Sequence, residues 1–175
     1  MASVVFLRGV NVGGARVFRP KALSDSLEHF GCVNVGAAGT FVIGATLSEA
    51  KLKAEITKRL PFETHTMICR AETIIEIVDR DPFARGKADK KLRRFGSVMN
   101  GKPKTIPRLP VAEPADAWLT KLIGVEGRLA WGWWRTLDGV HFRDPNMLIE
   151  QRLGVKATTR NWNTFEKIRE ILRKG

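Results

Sequence analysis

The chain has 175 residues, 43% of them hydrophobic, and a formal net charge of +12. This length fits one large domain or two small ones. No apolar run reaches the length of about 18 residues that a membrane-spanning helix requires, so a helical membrane span is not expected. The first residues lack the pattern of a secretory leader, and Cys32 and Cys69 have no metal-type spacing. We therefore expect a cytoplasmic protein without a disulfide, bound metal or cofactor.

The first 80 residues alternate between strand-like and helix-like segments. Short apolar runs predict strands over residues 3–8, 32–35, 40–43 and 64–69. Helical spacing, with Pro20 and Ser48 as start signals and Gly31 and Pro61 as stop signals, predicts helices over residues 20–30, 48–60 and 71–79. The resulting order βαββαβ predicts an α+β fold, a ferredoxin-like sandwich in which two helices cover one face of a four-stranded antiparallel sheet. The opposite sheet face is left for another element to cover.

The second half follows a charge-rich linker over residues 81–92, which separates a ferredoxin-like domain (residues 1–80) from a smaller or irregular α+β subdomain (residues 93–175). Residues 101–114 hold four prolines and are expected to be loop or edge strand. The remaining patterns predict strands over residues 93–100, 128–136 and 140–142, and helices over residues 115–123, 147–153 and 164–174.

Most of the positive charge is concentrated in one segment. Residues 84–110 hold nine Lys or Arg and one acidic residue. Such a stripe attracts polyanions and steers their encounter, although basic runs are also common on surfaces that bind nothing. The predicted nucleic-acid-binding residues are Lys87, Lys90, Lys91, Arg93, Arg94, Lys102 and Lys104.

A glycine-rich motif follows the first predicted strand, and residues 7–14 read Leu-Arg-Gly-Val-Asn-Val-Gly-Gly. Glycines at this place allow positive φ angles and close backbone approach, so N–H groups can surround an anion, with Arg8 as a further donor. The spacing matches neither a dinucleotide fingerprint nor a P-loop. The alternative is a tight loop in which Asn11 caps backbone groups. The predicted ligand-binding residues here are Arg8, Gly9, Asn11, Gly13 and Gly14.

A second motif, Thr-Thr-Arg-Asn-Trp-Asn-Thr over residues 158–164, precedes the last predicted helix. Asn163 and Glu166 have the spacing of a capping box, which gives both a structural explanation. Arg160, Asn161 and Trp162 have none, and they precede the positive end of a helix dipole, where anions bind readily. We therefore predict them as ligand-binding residues, with Trp162 as a core anchor in the alternative interpretation.

Three tryptophans lie in one predicted strand, Trp131 and Trp133 on one face and Trp134 on the other. One face is expected to be core, and the other is either core as well or a stacking platform for single-stranded nucleic acid. The histidines lie in unrelated contexts and no metal-ligand spacing is present, so no catalytic residue is predicted.

The two end motifs and the βαββαβ order resemble a widespread bacterial family of unknown function (domain of unknown function 1697). Its members begin with Leu-Arg-Gly-Ile-Asn-Val-Gly-Gly, matched here with Val10 in place of Ile, and end with Thr-x-Arg-Asn-Trp-Asn-Thr. The resemblance implies a ferredoxin-like first domain and a related α+β second part. Family members carry a Ser-Gly-Asn turn between strands 2 and 3, where this chain has Ala38-Gly39-Thr40. The family brings no activity, and a fold alone does not specify one.

Three functional hypotheses follow. The first is a non-catalytic binding protein whose two end motifs form one site for an anionic group, with nucleic acid as the polyanion that the basic segment favours. The second is an enzyme acting on a small phosphorylated or carboxylated metabolite, with Arg8, Asn11 and Arg160 holding the substrate. The third is a structural homodimer that uses the open sheet face as its interface.

Overall fold

The computed structural model describes residues 1–11, 14, 17–84, 91–136 and 144–174, which form two units with one antiparallel sheet each. The first unit is Met1–Asp79 together with Glu166–Gly175, and the second is Arg80–Phe165. Helices accompany both sheets, and the predicted α+β class is confirmed.

The first unit contains every element predicted for residues 1–79. Its strand order is β2-β3-β1-β4, and each neighbouring pair is antiparallel. The helix predicted over residues 20–30 ends earlier and continues as a short 3-10 turn, Glu28–Phe30, which Gly31 closes with a φ of 63°. The elements are β1 Ser3–Leu7, α1 Pro20–Ser26, β2 Cys32–Asn34, β3 Thr40–Ile43, α2 Glu49–Thr57, β4 Thr66–Arg70 and α3 Ala71–Asp79.

Both faces of the first sheet are largely buried. One face packs against α1 and α2, and Leu27, which follows α1, and Leu52 in α2 have no exposed surface. On the other face Val4, Phe6 and Met67 are also fully buried. Among the residues of that face, Val33 on the edge strand β2 is 43% exposed. The homodimer hypothesis assumed an open sheet face, and the central strands of this sheet do not provide one.

The second unit is built on a five-stranded sheet with the order β6-β7-β8-β5-β9. The core on one side of it consists of strand residues such as Phe95 and Leu122 packed against the helix α4. Asp144 caps that helix by accepting from the backbone N–H of Asn146 at 2.9 Å, and Gly154 ends it with a φ of 67°. The elements are β5 Leu92–Met99, β6 Val111–Glu113, β7 Thr120–Glu126, β8 Leu129–Arg135, α4 Pro145–Leu153 and β9 Ala157–Asn161.

Two segments of the second unit differ from the prediction. The helix predicted over residues 115–123 is wrong, because this stretch leads into β7, where buried Thr120, Leu122 and Gly124 alternate with half-buried residues. A short apolar run fits a strand and a buried helix equally, and here pairing with β6 and β8 decides between them. Strand β9 was not predicted, since its sequence reads as a polar motif. The strand predicted over residues 140–142 lies outside the described residues.

The last helix, α5 (Trp162–Lys174), begins two residues before its predicted start. From Glu166 onward it belongs to the first unit, whereas the prediction placed residues 166–175 in the second part. Within the first unit, Arg169 and Arg173 form ion pairs of 3.3 and 2.7 Å with Asp79, the last residue of α3. None of the helices in the described ranges has the length and apolarity needed to cross a bilayer.

Candidate functional site

The N-terminal motif forms the loop that leaves β1 in the first unit. Arg8 is half-buried and its backbone N–H donates to the carbonyl of His65 at 3.0 Å. Gly9 and Gly14 are exposed and have φ angles of 61° and 75°, in the left-handed region that favours glycine. Gly13 lies outside the described residues. The predicted positive φ angles are therefore present at the two described glycines of the motif.

Asn11 uses both ends of its side-chain amide for backbone groups. Its Nδ2 donates to the carbonyl of Ala37, and its Oδ1 accepts from the backbone N–H of Phe18, each at 3.0 Å. Its own φ is 55°, which asparagine tolerates better than most residues. These bonds match the architectural interpretation of the motif, in which Asn11 holds the loop.

The turn between β2 and β3, which Asn11 contacts through Ala37, is tightly packed. Gly39 has a φ of 70°, and a Cβ at this position would lie 2.6 Å from Cγ2 of Val10. The carbonyl of Gly39 accepts from the backbone N–H of Leu7 at 2.8 Å. The motif and the turn between β2 and β3 therefore pack as one structure, which requires glycine at position 39.

The C-terminal motif lies where β9 passes directly into α5 in the second unit. Arg160 and Asn161 are the last residues of the strand, and Trp162 is the first residue of the helix. Arg160 Nη1 donates to Oγ1 of Thr158 and to the carbonyl of Thr159 at 3.0 and 2.9 Å, and burial lowers the pKa of its guanidinium to about 10. Asn161 is exposed and pairs through its backbone with Phe95.

The start of α5 and the burial of Trp162 both differ from what the motif predicted. The capping box is wrong, because the helix has already begun at Trp162 and Asn163 lies inside it. Trp162 is 2% exposed, stacks on Phe165 with ring centroids 5.3 Å apart, and meets the ring of Phe83 edge-on at 4.8 Å. Trp162 is thus a core residue, as in the alternative interpretation.

The two end motifs belong to different units. Arg8, Gly9, Asn11 and Gly14 lie in the first unit, and residues 160–162 lie in the second. Neither unit by itself contains the single site that we predicted from the two motifs together.

The predicted nucleic-acid-binding residues that the structure describes lie in two separate groups in the second unit. Lys91, Arg93 and Arg94 lie at the start of β5, whereas Lys102 and Lys104 follow its end. The strand continues for five residues beyond Arg94, which separates the two groups by about 17 Å at a rise of about 3.3 Å per residue. Lys87 and Lys90 lie outside the described residues.

Strand pairing brings different cations to the start of β5. Arg94 lies opposite Trp133 on β8, and Trp133 lies opposite Lys121 on β7. Directly paired residues point to the same face, so an indole stands between two cations in one row across three strands. Arg135 is two residues beyond Trp133 on the same face and pairs with Leu92. We define the basic sheet end as Lys91, Arg93, Arg94, Lys121 and Arg135.

Aromatic rings accompany these cations. Lys121 Nζ lies 4.3 Å and Arg135 Cζ 4.1 Å from the ring centroid of Trp118, and Trp118 is half-buried. On the opposite face Arg93 pairs with Trp134. Trp118, Lys121 and Arg135 were not among the predicted site residues, because only the register of β7 and β8 brings them together.

Three cations of the basic sheet end, Arg93, Lys121 and Arg135, differ from Arg80, Arg152 and Lys156 of the same unit in their ion pairing. Three carboxylates are paired elsewhere in this unit, in Arg80–Glu126 at 2.8 Å, Arg152–Glu113 at 3.1 Å and Lys156–Glu150 at 2.8 Å. Within the described ranges, by contrast, Arg93, Lys121 and Arg135 contact no carboxylate. Their charges are therefore available to an external anion.

The described residues contain no group of three or more His, Cys, Asp or Glu arranged to hold a metal ion. His29 packs against the ring of Phe30 at 3.9 Å, and His65 contributes its backbone carbonyl to Arg8. His141 lies outside the described residues.

Comparison with known proteins adds the family and a fold. No curated protein sequence matches the chain. A solved structure described as that of the conserved bacterial protein SP0830 from Streptococcus pneumoniae is similar to it, with a TM-score of 0.61 over 98% of each chain. The two chains are 18% identical, so this likeness concerns the fold alone. The family model Protein of unknown function (DUF1697) matches residues 1–115, which is more than half of the chain, and the chain therefore belongs to this family.

Proposed function

We propose that this chain is a non-catalytic, cytoplasmic nucleic-acid-binding protein whose basic sheet end contacts the phosphate backbone. The observation that carries the proposal is the row Arg94–Trp133–Lys121, with Arg135 beside it on the same face. Cations of three strands converge there, and Lys121 and Arg135 contact an indole instead of a carboxylate.

The physical basis is electrostatic. A cation already paired with a carboxylate gains little from a phosphate, whereas an unneutralised cation releases counterions from the nucleic acid when it binds. The net charge of +12 adds long-range attraction for any polyanion.

Fluorescence anisotropy with a labelled oligonucleotide of about 16 nucleotides tests the proposal. If Arg93, Lys121 and Arg135 make three phosphate contacts, raising the salt from about 50 mM to about 200 mM weakens binding to a single strand by about 20-fold. Absence of binding at the lower salt concentration would remove the nucleic-acid proposal.

Native mass spectrometry of freshly purified protein separates the proposal from the two other hypotheses. A small retained anion would favour an enzyme or binding protein for a phosphorylated or carboxylated metabolite. Arg160, half-buried with its pKa lowered by burial, is then the first residue to substitute. A dimer mass without ligand would favour the structural homodimer.

A further inference from the structure

The half-buried indoles at the basic sheet end differ in what their rings contact. Trp133 meets the ring of Phe83 edge-on, with centroids 5.0 Å apart. Trp134 packs against the core of the second unit. The ring of Trp118 has no aromatic partner in the described parts of the chain, and its ring contacts are Lys121 and Arg135. Packing within the second unit thus leaves the ring of Trp118 available to stack on a ligand, unlike the rings of Trp133 and Trp134.

We propose that Trp118, Lys121 and Arg135 form a subsite for one unpaired nucleotide, and that the chain consequently prefers single-stranded nucleic acid to duplex. The indole stacks on the base, and the two cations bind the flanking phosphates. This inference rests on the proposed function, because it names the form of nucleic acid that the same surface takes.

The existing cation–π contacts do not prevent stacking. Lys121 and Arg135 are half-exposed, and cation–π contacts at such sites are weaker than the stacking of a base on an aromatic side chain. A phosphate is also a stronger partner for an ammonium or guanidinium group than an indole is. A bound nucleotide therefore draws the cations toward its phosphates and exposes the ring to its base.

The preference for single strands follows from the accessibility of the bases. In a duplex the base faces are stacked inside the helix, so a protein reaches the phosphates but no base face. Stacking of one base changes affinity by about 5- to 150-fold. Binding through phosphates alone would give no comparable preference.

The experiment compares a labelled single strand of about 16 nucleotides with its own duplex at one low salt concentration. We expect the wild-type chain to bind the single strand at least about fivefold more tightly. Trp118→Leu should abolish that preference and Trp118→Phe should retain most of it. Lys53→Ala, which removes an exposed cation of α2 in the first unit, should leave it unchanged.

Three other results would contradict either the subsite or the proposed function. Equal affinity of the wild-type chain for both forms overturns the subsite and leaves the proposed function standing, and this comparison does not depend on the folding of any variant. An undiminished preference in folded Trp118→Leu also overturns the subsite. Failure to bind either form overturns the proposed function itself.

Discussion

Asn11 Oδ1 accepts the backbone N–H of Phe18 at 3.0 Å, so the side chain of Asn11 connects two backbone segments. Its Nδ2 extends the connection to the carbonyl of Ala37 in the next turn. A side chain with both polar ends satisfied in this way has an architectural role that does not require a ligand. The positive φ angles of Gly9, Asn11 and Gly14 give these three residues a conformational reason to be present.

Substitution of Asn11 should therefore destabilise the chain. Asn11→Ala removes both hydrogen bonds and places alanine at a φ of 55°, for a combined cost of about 1–3 kcal/mol. Asn11→Gly removes the same hydrogen bonds without the backbone strain, so it should cost less. Urea unfolding measures both changes.

The control is Asn163, which is exposed and accepts a hydrogen bond of 3.5 Å from Arg94. Asn163→Ala should change the urea midpoint little. An unfolding midpoint that Asn11→Ala leaves in place would contradict the architectural role.

Gly96 should resist substitution because the ring of Phe165 lies on its backbone. A Cβ at Gly96 would lie 2.5 Å from Cε2 of that ring, inside a strand that is paired on both sides. Overpacking of this kind costs about 1–3 kcal/mol, so we expect Gly96→Ala to lower the free energy of unfolding by that amount.

The matched control for Gly96 is Gly101, where an added Cβ meets nothing within 4 Å. Gly101→Ala should be neutral or slightly stabilising, since alanine restricts the unfolded chain. In the double variant Gly96→Ala with Phe165→Leu, the two costs should be less than additive, because the smaller side chain relieves the clash. Strict additivity would show that the close approach of the two residues is not the cause.

The first unit was largely predictable because its start and stop signals are local. Pro20, Gly31 and Ser48 each favour one position relative to a helix, and the structure places all three there: Pro20 as the first residue of α1, Gly31 at the end of the 3-10 turn and Ser48 as the cap of α2. Such signals act within a few residues, so a single sequence reveals them.

The candidate site was not predictable for the opposite reason. Lys121 lies opposite Trp133 because of the register in which β7 and β8 pair up to Leu122, and a shift of that register by one residue would send Lys121 to the other face. Contacts between distant segments set that register, which shifts by one residue before Gly124, where Trp131 packs closely on the glycine. The helix that we predicted over residues 115–123 also prevented us from predicting this site. A helix there would not align Lys121 with the other cations of the sheet.

Cys32 should react more slowly than an ordinary thiol. It is half-buried on β2, and burial raises the pKa of its thiol above the usual value of about 8.5. In a Cys69→Ala background, the rate of alkylation by iodoacetamide should therefore rise with a midpoint above about pH 8.5, and should return to that value when the chain is unfolded. A midpoint at or below that of a free thiol would contradict the effect of burial.

The same shift predicts a pH dependence of stability. Since the folded pKa of Cys32 lies above the unfolded one, the thiol is favoured in the folded state. Its contribution to stability is complete below about pH 8.5 and is lost as the pH rises through the folded pKa. Cys32→Ala should remove this part of the loss of stability at alkaline pH. The measurement is the difference in urea unfolding midpoint between the wild-type chain and Cys32→Ala as the pH rises above about 8.5.

The salt dependence of binding should identify the basic sheet end as the phosphate-contacting surface. Each contact with a single strand contributes about 0.7 to the slope of log K against log salt, so Lys121→Ala with Arg135→Ala should reduce that slope by about 1.4. The matched variant is Lys102→Ala with Lys104→Ala, which removes the same charge from exposed residues beyond the other end of β5. It should lower affinity slightly through the long-range field and leave the slope nearly unchanged. If both double variants reduce the slope equally, net charge alone governs binding, and the convergence of Arg94, Lys121 and Arg135 on one face has no special part in it.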